Sequence, residues 1–196
     1  AGIHYVMGSA TANTIDMGVD ANVTAVDYIN AGAGADVVKF TAAAGTATFD
    51  DIVGVETISV TAAGNAVTTL ALTYTAANTD ALTIDATALT GGTAKITTDL
   101  SADVQVDGYI TINGSAGADV ITAGDGGALI TGNDGDDVLA GHTGTDTFVF
   151  AADFAANGTD AITSFTSGTD KLDISALTTA TAITDVSSTG QTFTTV

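Results

Sequence analysis

The sequence predicts an all-β chain wound as a right-handed parallel β-helix or β-roll solenoid. Three observations lead there. Short segments alternate apolar with Thr or Asp, glycine-rich clusters separate them, and from Gly114 onward a nine-residue unit repeats in strict register. Thr, Val and Ile are abundant, and their β-branched side chains suit strands. The usual surface helix formers Leu, Glu, Lys, Gln and Arg are scarce.

In chain order, strands are expected at Thr57–Thr61, Leu70–Thr75, Leu82–Asp85, Val104–Asp107 and Ile110–Asn113, each with one apolar face. Turn clusters stand between them at Ala63-Gly64-Asn65, Gly91-Gly92 and Asp107-Gly108. Ile58, Leu70 and Leu82 recur every twelve residues, and Ile96 follows after fourteen. This loose recurrence suggests coils of a solenoid, with a β-sandwich as the other arrangement compatible with this part alone. The expected organisation is an irregular solenoid over 1–112, a regular roll over 113–149, and a closing segment with a secretion-signal region over 150–196.

The repeat units begin at Gly114, Ala123, Gly132 and Gly141. Glycine fills turn positions, Asp the sixth position, and a large apolar residue (Ile121, Ile130, Leu139, Phe148) the eighth. Ala128 replaces Asp in the second unit. An isolated copy spans Ala31–Lys39, and a faded one spans Gly8–Asp16 with Asn13 at the Asp position. Six residues make a tight turn in which Gly adopts angles other residues resist. Three more make a strand whose eighth-position side chain points inward. Two units complete a coil, so turns eighteen residues apart stack on one edge: Gly114–Asp119 under Gly132–Asp137, and Ala123–Ala128 under Gly141–Asp146.

Charge gives these turns their meaning. The 196 residues include 23 acids, all Asp except Glu56, against Lys39, Lys95 and Lys171, for a net charge of −20. Three scattered cations cannot neutralise a phosphate backbone or hold an anionic membrane surface, which excludes nucleic acid and membrane partners. The chain is nevertheless 45% hydrophobic, too apolar for a disordered acidic tail. It has no Cys, so thiolate and disulfide chemistry are excluded. No apolar run is long enough to span a membrane as a helix. Stacked carboxylates about 4 Å apart repel by on the order of 4 kcal/mol at an effective dielectric of about 20. A divalent cation between turns reverses that sign, and an all-oxygen donor set favours Ca²⁺.

The nonapeptide resembles the RTX repeat, G-G-x-G-x-D-x-U-x, a calcium-binding β-roll unit. The segments Thr147–Phe150, Asp160–Phe165 and Gly168–Leu177 resemble the part that closes RTX rolls, with Ser164 where that family usually has Asp. Phe49–Val60 resembles the V-x-x-V-E-T-I segments of RTX-containing surface-layer (S-layer) proteins of Gram-negative bacteria. The resemblance implies type I secretion of an unfolded chain, folding in extracellular calcium, and self-assembly into a two-dimensional surface lattice. In S-layer proteins lipopolysaccharide is held by a separate region, for which no candidate is seen here. The chain starts at Ala1, and a fragment of a longer protein is expected. It has no Pro to impose slow isomerisation.

The candidate calcium-holding positions are Asp119, Asp137 and Asp146, with Asp125 and Asp134 and the turn residues Gly114, Ala116, Gly132, Gly141 and Thr143. Asp125 is the residue available to compensate for Ala128. Asp36 has no obvious same-edge partner one coil away, and is a ligand or a plain turn residue. Asp160 and Asp170 are further candidates; Asp170 and Asp173 are alternatively caps for a short helix begun by Ser175–Leu177. His142, at a glycine position, reads as an exposed spectator. No nucleophile–base set can be assembled, so no enzymatic activity is expected. Three functions remain: a lattice-forming S-layer region, the calcium-folding and secretion domain of a larger RTX enzyme or toxin, and a Thr-rich adhesin or ice-binding solenoid.

Overall fold

The computed structural model describes residues 5–19, 28–42, 45–49, 51–62, 68–72, 81–90, 95–100, 109–150 and 157–176. These form strands β1 (Tyr5–Ser9), β2 (Thr14–Val19), β3 (Tyr28–Gly32), β4 (Val37–Ala42), β5 (Gly45–Phe49), β6 (Asp51–Val53), β7 (Thr57–Ala62), β8 (Thr68–Leu72) and β9 (Leu82–Asp85). There follow β10 (Thr97–Asp99), β11 (Ile110–Asn113), β12 (Val120–Thr122), β13 (Ala128–Thr131), β14 (Val138–Ala140), β15 (Thr147–Val149), β16 (Ala161–Thr163) and β17 (Lys171–Asp173). No helix occurs among the described residues. The strand expected at Val104–Asp107, the three turn clusters, Thr73–Thr75 and Leu177 lie outside them.

The strands stack in parallel as a β-roll solenoid. One face is an eight-stranded sheet in the order β17-β15-β13-β11-β9-β7-β4-β2. The other faces carry β1-β3-β6, β5-β8 and β10-β12-β14-β16. The inward file of the long sheet runs Ile15, Val38, Ile58, Ile84, Ile112, Ile130, Phe148, Leu172, each in register with the next. From Val38 to Phe148 every member is buried, and Ile121 and Leu139 face them from the shorter sheet. Each such side chain contributes about 1.5–3 kcal/mol by leaving water. The file is the fold's axis: parallel strands in register put like residues over like, and Ile over Ile packs without a gap.

That register measures the coils. The eighteen-residue period holds between Ile112 and Phe148, as the repeats require. The twelve-residue recurrence of Ile58, Leu70 and Leu82 is not a coil: Ile58 lies over Ile84, and Leu70 pairs in a different sheet with Ala47. It marks successive strands within a wider coil. Outside the long sheet, Thr57, Thr83 and Thr111 form one file while its neighbour carries Ser59, Asp85 and Asn113. A regular double Thr rank therefore does not form over these three strands.

Turn contact explains the glycines. A Cβ on Gly135, whose φ is +124°, would sit 2.7 Å from the Gly117 carbonyl carbon one coil back. Gly135→Ala is therefore expected to lose on the order of 1–3 kcal/mol, the cost of a forced backbone conformation. Phe148→Ala is expected to lose about 3–5 kcal/mol by opening the core. Equilibrium denaturation of both variants under one set of conditions checks these values.

Candidate metal centre

The sixth-position residues form two columns, one at the start of each sheet's strands. Along the long sheet the column reads Asn13, Asp36, Glu56, Leu82, Ile110, Ala128, Asp146, Asp170. Along the shorter sheet it reads Ile96, Asp119, Asp137, Asp160. Within them each carboxylate reaches back one coil and accepts the backbone N–H of the residue it stacks on. In the short column Ile96 N donates to Asp119 Oδ1 at 2.7 Å, Asp119 N to Asp137 Oδ1 at 2.8 Å, and Asp137 N to Asp160 Oδ1 at 3.0 Å. In the long column Ala128 N donates to Asp146 Oδ1 at 2.9 Å and Asp146 N to Asp170 Oδ1 at 3.0 Å. Where the column turns apolar at Leu82, Ile110 and Ala128, all three side chains are buried in the core instead.

The second carboxylate oxygen belongs to the residue's own turn. Asp119 Oδ2 accepts Ser115 N at 2.6 Å, Asp146 Oδ2 accepts His142 N at 3.1 Å, and Asp170 Oδ2 accepts Thr166 N at 2.7 Å. The donor stands four residues earlier in each case. At Asp137 that donor would be Asn133, which takes a left-handed φ of +70°, and this bond does not form. Asp137 is buried and its Oδ2 has no hydrogen-bond partner. A Cβ on Gly132 would lie 2.0 Å from that oxygen, so only glycine leaves it room.

An orphaned, buried carboxylate oxygen fits a hard divalent cation. Among the described residues no three acidic or imidazole side chains converge on a point. A cation there would be held by Asp137 together with turn carbonyls, and its charge would offset the stacked carboxylates. Asp119 is more saturated, since Ser115 Oγ also donates to its Oδ1 at 2.7 Å.

The remaining candidates divide by exposure. Asp160 and Asp170 are ladder members, and among the described residues Asp173 Oδ1 accepts Ser175 N in a turn rather than at a helix start; Leu177 lies outside them. Asp134 is exposed. Gly114 is buried with its carbonyl accepting Asn133 Nδ2 at 2.8 Å; Gly132 and Gly141 are buried under the carboxylates of Asp137 and Asp146, and Ala116 is half-buried. Asp125 does occupy the edge of the Asp-less second unit, but with a partner the sequence did not suggest. His142 Nδ1 lies 2.7 Å from Asp125 Oδ1, and Thr143 Oγ1 donates to the Asp125 carbonyl at 2.9 Å. His142 is exposed, as expected, and in addition ties two coils. Asp36 likewise has same-edge neighbours, Asn13 and Glu56, at coil lengths the eighteen-residue period does not reveal. Glu56 was missed because it sits in no repeat.

Burial raises the carboxyls of Asp119, Asp137, Asp146 and Asp160. It pushes Asp119 up to about 6, Asp160 to about 6 and Asp137 to about 7, where the carboxylates of Asp119, Asp160 and Asp136 add repulsion. Asp146 is raised for the same reason, with Asp170 adding to it. Carboxyls raised above their unfolded value of 3.8 stabilise the metal-free fold fully below that pH. The contribution is lost as pH rises through about 6 to 7. In excess chelator the thermal midpoint should therefore fall between pH 4 and 8, and millimolar Ca²⁺ should reverse the trend because binding needs ionised carboxylates. Circular dichroism melts across that range check both slopes.

The family model described as Peptidase M10 serralysin C terminal matches residues 8–194. Comparison with curated proteins and with solved structures found no match. That family is the RTX-repeat, calcium-binding region of extracellular proteins exported by type I secretion, and the non-catalytic C-terminal part of serralysin-type proteins. With ladder turns at its repeats and a match over nearly its whole length, this chain belongs to the serralysin C-terminal family.

Proposed function

We propose that the chain is a calcium-set folding domain: it leaves the cell unfolded and closes its solenoid outside, once cations enter the stacked turns. The observation that carries this reading is the buried, unpartnered Oδ2 of Asp137 within a column of stacked carboxylates. At neutral pH the ladder brings like charges together in the core edge, and the −20 net charge opposes compaction throughout. Without Cys or Pro, nothing covalent or slow obstructs passage or refolding. A circular dichroism titration at neutral pH should show strand signal appearing with a midpoint of about 10⁻⁴–10⁻³ M Ca²⁺, the range of extracellular modules. Full strand signal already present in excess chelator would refute the reading. Asp137→Asn should raise the midpoint, whereas Asp16→Asn, at an exposed position outside both columns, should leave it nearly unchanged.

A second reading places the same solenoid in an S-layer, as its lattice-forming region. It is favoured by the long sheet, which continues from Thr14 to Asp173, far beyond the tandem repeats, and by the Val55-Glu56-Thr57-Ile58 segment within it. Such a body offers a long rigid side for self-association, and Ca²⁺ between molecules would allow a strongly anionic protein to pack. Electron microscopy with and without Ca²⁺ separates the readings. Ordered sheets that dissolve in chelator support the lattice; a monomer at high protein concentration and millimolar Ca²⁺ leaves the domain as the folding and secretion part of a larger RTX protein.

A further inference from the structure

We infer that the N-terminal coil is an interface between two copies of this chain, in which β1 pairs antiparallel with the partner's β1 about a two-fold axis at Met7. The inference goes beyond both readings above. It needs only the folded solenoid, and it gives a closed pair rather than a lattice.

The end strands of the stack differ in how they are guarded. Among the described residues the outermost strands are β1 and β2 at one end, β16 and β17 at the other. An open strand edge invites pairing, and charges, bulges or short length blunt it. In β2 the register shifts between Asp16 and Val19, Gly18 has φ +72°, and Asp16 adds a charge. Strand β17 carries Lys171 and Asp173, and β16 is three residues long and follows Asp160. Strand β1 has none of these devices. It is five residues of Tyr-Val-Met-Gly-Ser, paired with β3 on one side, with no charge and no Pro. Tyr5 is 73% and Met7 69% exposed, the two most exposed large apolar side chains among the described residues. The Tyr5 ring is already ordered against Tyr28, with centroids 6.1 Å apart.

Two features select a second copy as the occupant. The first is the strand's own pattern: Tyr5 and Val6 are large, Gly8 and Ser9 small. Antiparallel pairing about Met7 sets Tyr5 against the partner's Ser9 and Val6 against the partner's Gly8, so large meets small on both faces, as a self-complementary two-fold contact requires. Val6, half-buried against the core, would be covered by the same step. The second is charge. A net charge of −20 opposes association of like copies. In the described coil 5–19 the sole acid is Asp16, already paired with Lys39 at 3.8 Å, and the column position there is the neutral Asn13. At the other end Asp160, Asp170 and Asp173 stand against Lys171 alone. Two N-terminal ends therefore meet with the least repulsion, and each edge supplies the backbone donors and acceptors the other lacks.

Sedimentation of the full chain in millimolar Ca²⁺, with circular dichroism reporting strand content, tests this. The parent should be a dimer. Met7→Lys should raise its dissociation constant by at least about tenfold, because like charges then face each other across the axis. Val138→Lys, exposed on β14 away from both ends, should leave it unchanged. Residues opposed in an antiparallel pair have Cα atoms about 4.5–5.5 Å apart, within the range of about 4.4–6.8 Å that a disulfide spans. Met7→Cys, in a chain with no other Cys, should therefore give a disulfide-linked dimer on mild oxidation, and Val138→Cys should not. A folded parent that stays monomeric would overturn the inference and leave the calcium-dependent reading standing, the edge then serving a strand of another protein. A dimer that survives Met7→Lys and gives no cross-link through Met7→Cys meets through another surface, and overturns it too. The Met7 side chain is exposed, so both substitutions spare the core.

Discussion

The structure depends on one repeated contact: a carboxylate that reaches back one coil to accept a backbone N–H at the strand entrance. That N–H would otherwise be buried and unsatisfied where the chain leaves the turn and enters the sheet, at a cost of about 1–3 kcal/mol. Asp suits the position because its side chain is short enough to stay within the coil edge and still span to the neighbouring turn. Glycine at the first position follows from the same contact, since the carboxylate folds over it at Gly114, Gly132 and Gly141.

The ladder also concentrates carboxyls at the coil edges. Each rung satisfies a donor, and at Asp119, Asp137 and Asp160 desolvation holds the carboxyl above its ordinary range. Hydrogen bonds from the turn soften that penalty unevenly. Where the residue four positions back presents its N–H, as at Asp119, Asp146 and Asp170, the carboxylate is closed from within. Where that residue is left-handed, as at Asn133 and Gly32, one oxygen stays open. A single backbone angle thus separates a structural cap from an oxygen free to meet a metal ion.

Much of this was legible in the residues. The nonapeptide placed Asp137 over Asp119 and Asp146 over Ala128, and even the faded copy put Asn13 in its column, because a parallel coil of fixed length converts sequence period directly into stacking. Beyond the tandem units that conversion fails. Coils around Asp36 and Ile84 differ in length, so period alone hides that Glu56 stacks on Asp36 and that Ile58 lies over Ile84. The contact of exposed His142 is hidden for a related reason: its partner Asp125 stands one coil away, and a side-chain tie across coils leaves no trace in local spacing.

By itself, then, the sequence determined the all-β solenoid, the inward file of Ile, Leu and Phe, the anionic turns and their appetite for a hard cation. These follow from period, β-branching and net charge, which act locally or additively along the chain. Only the tertiary structure decided which oxygen of which Asp is already bonded, and that Glu56 completes a column begun by a lone repeat. Those outcomes depend on the angle at a residue four positions away and on the length of the coil between two turns, and neither is a property of any single segment.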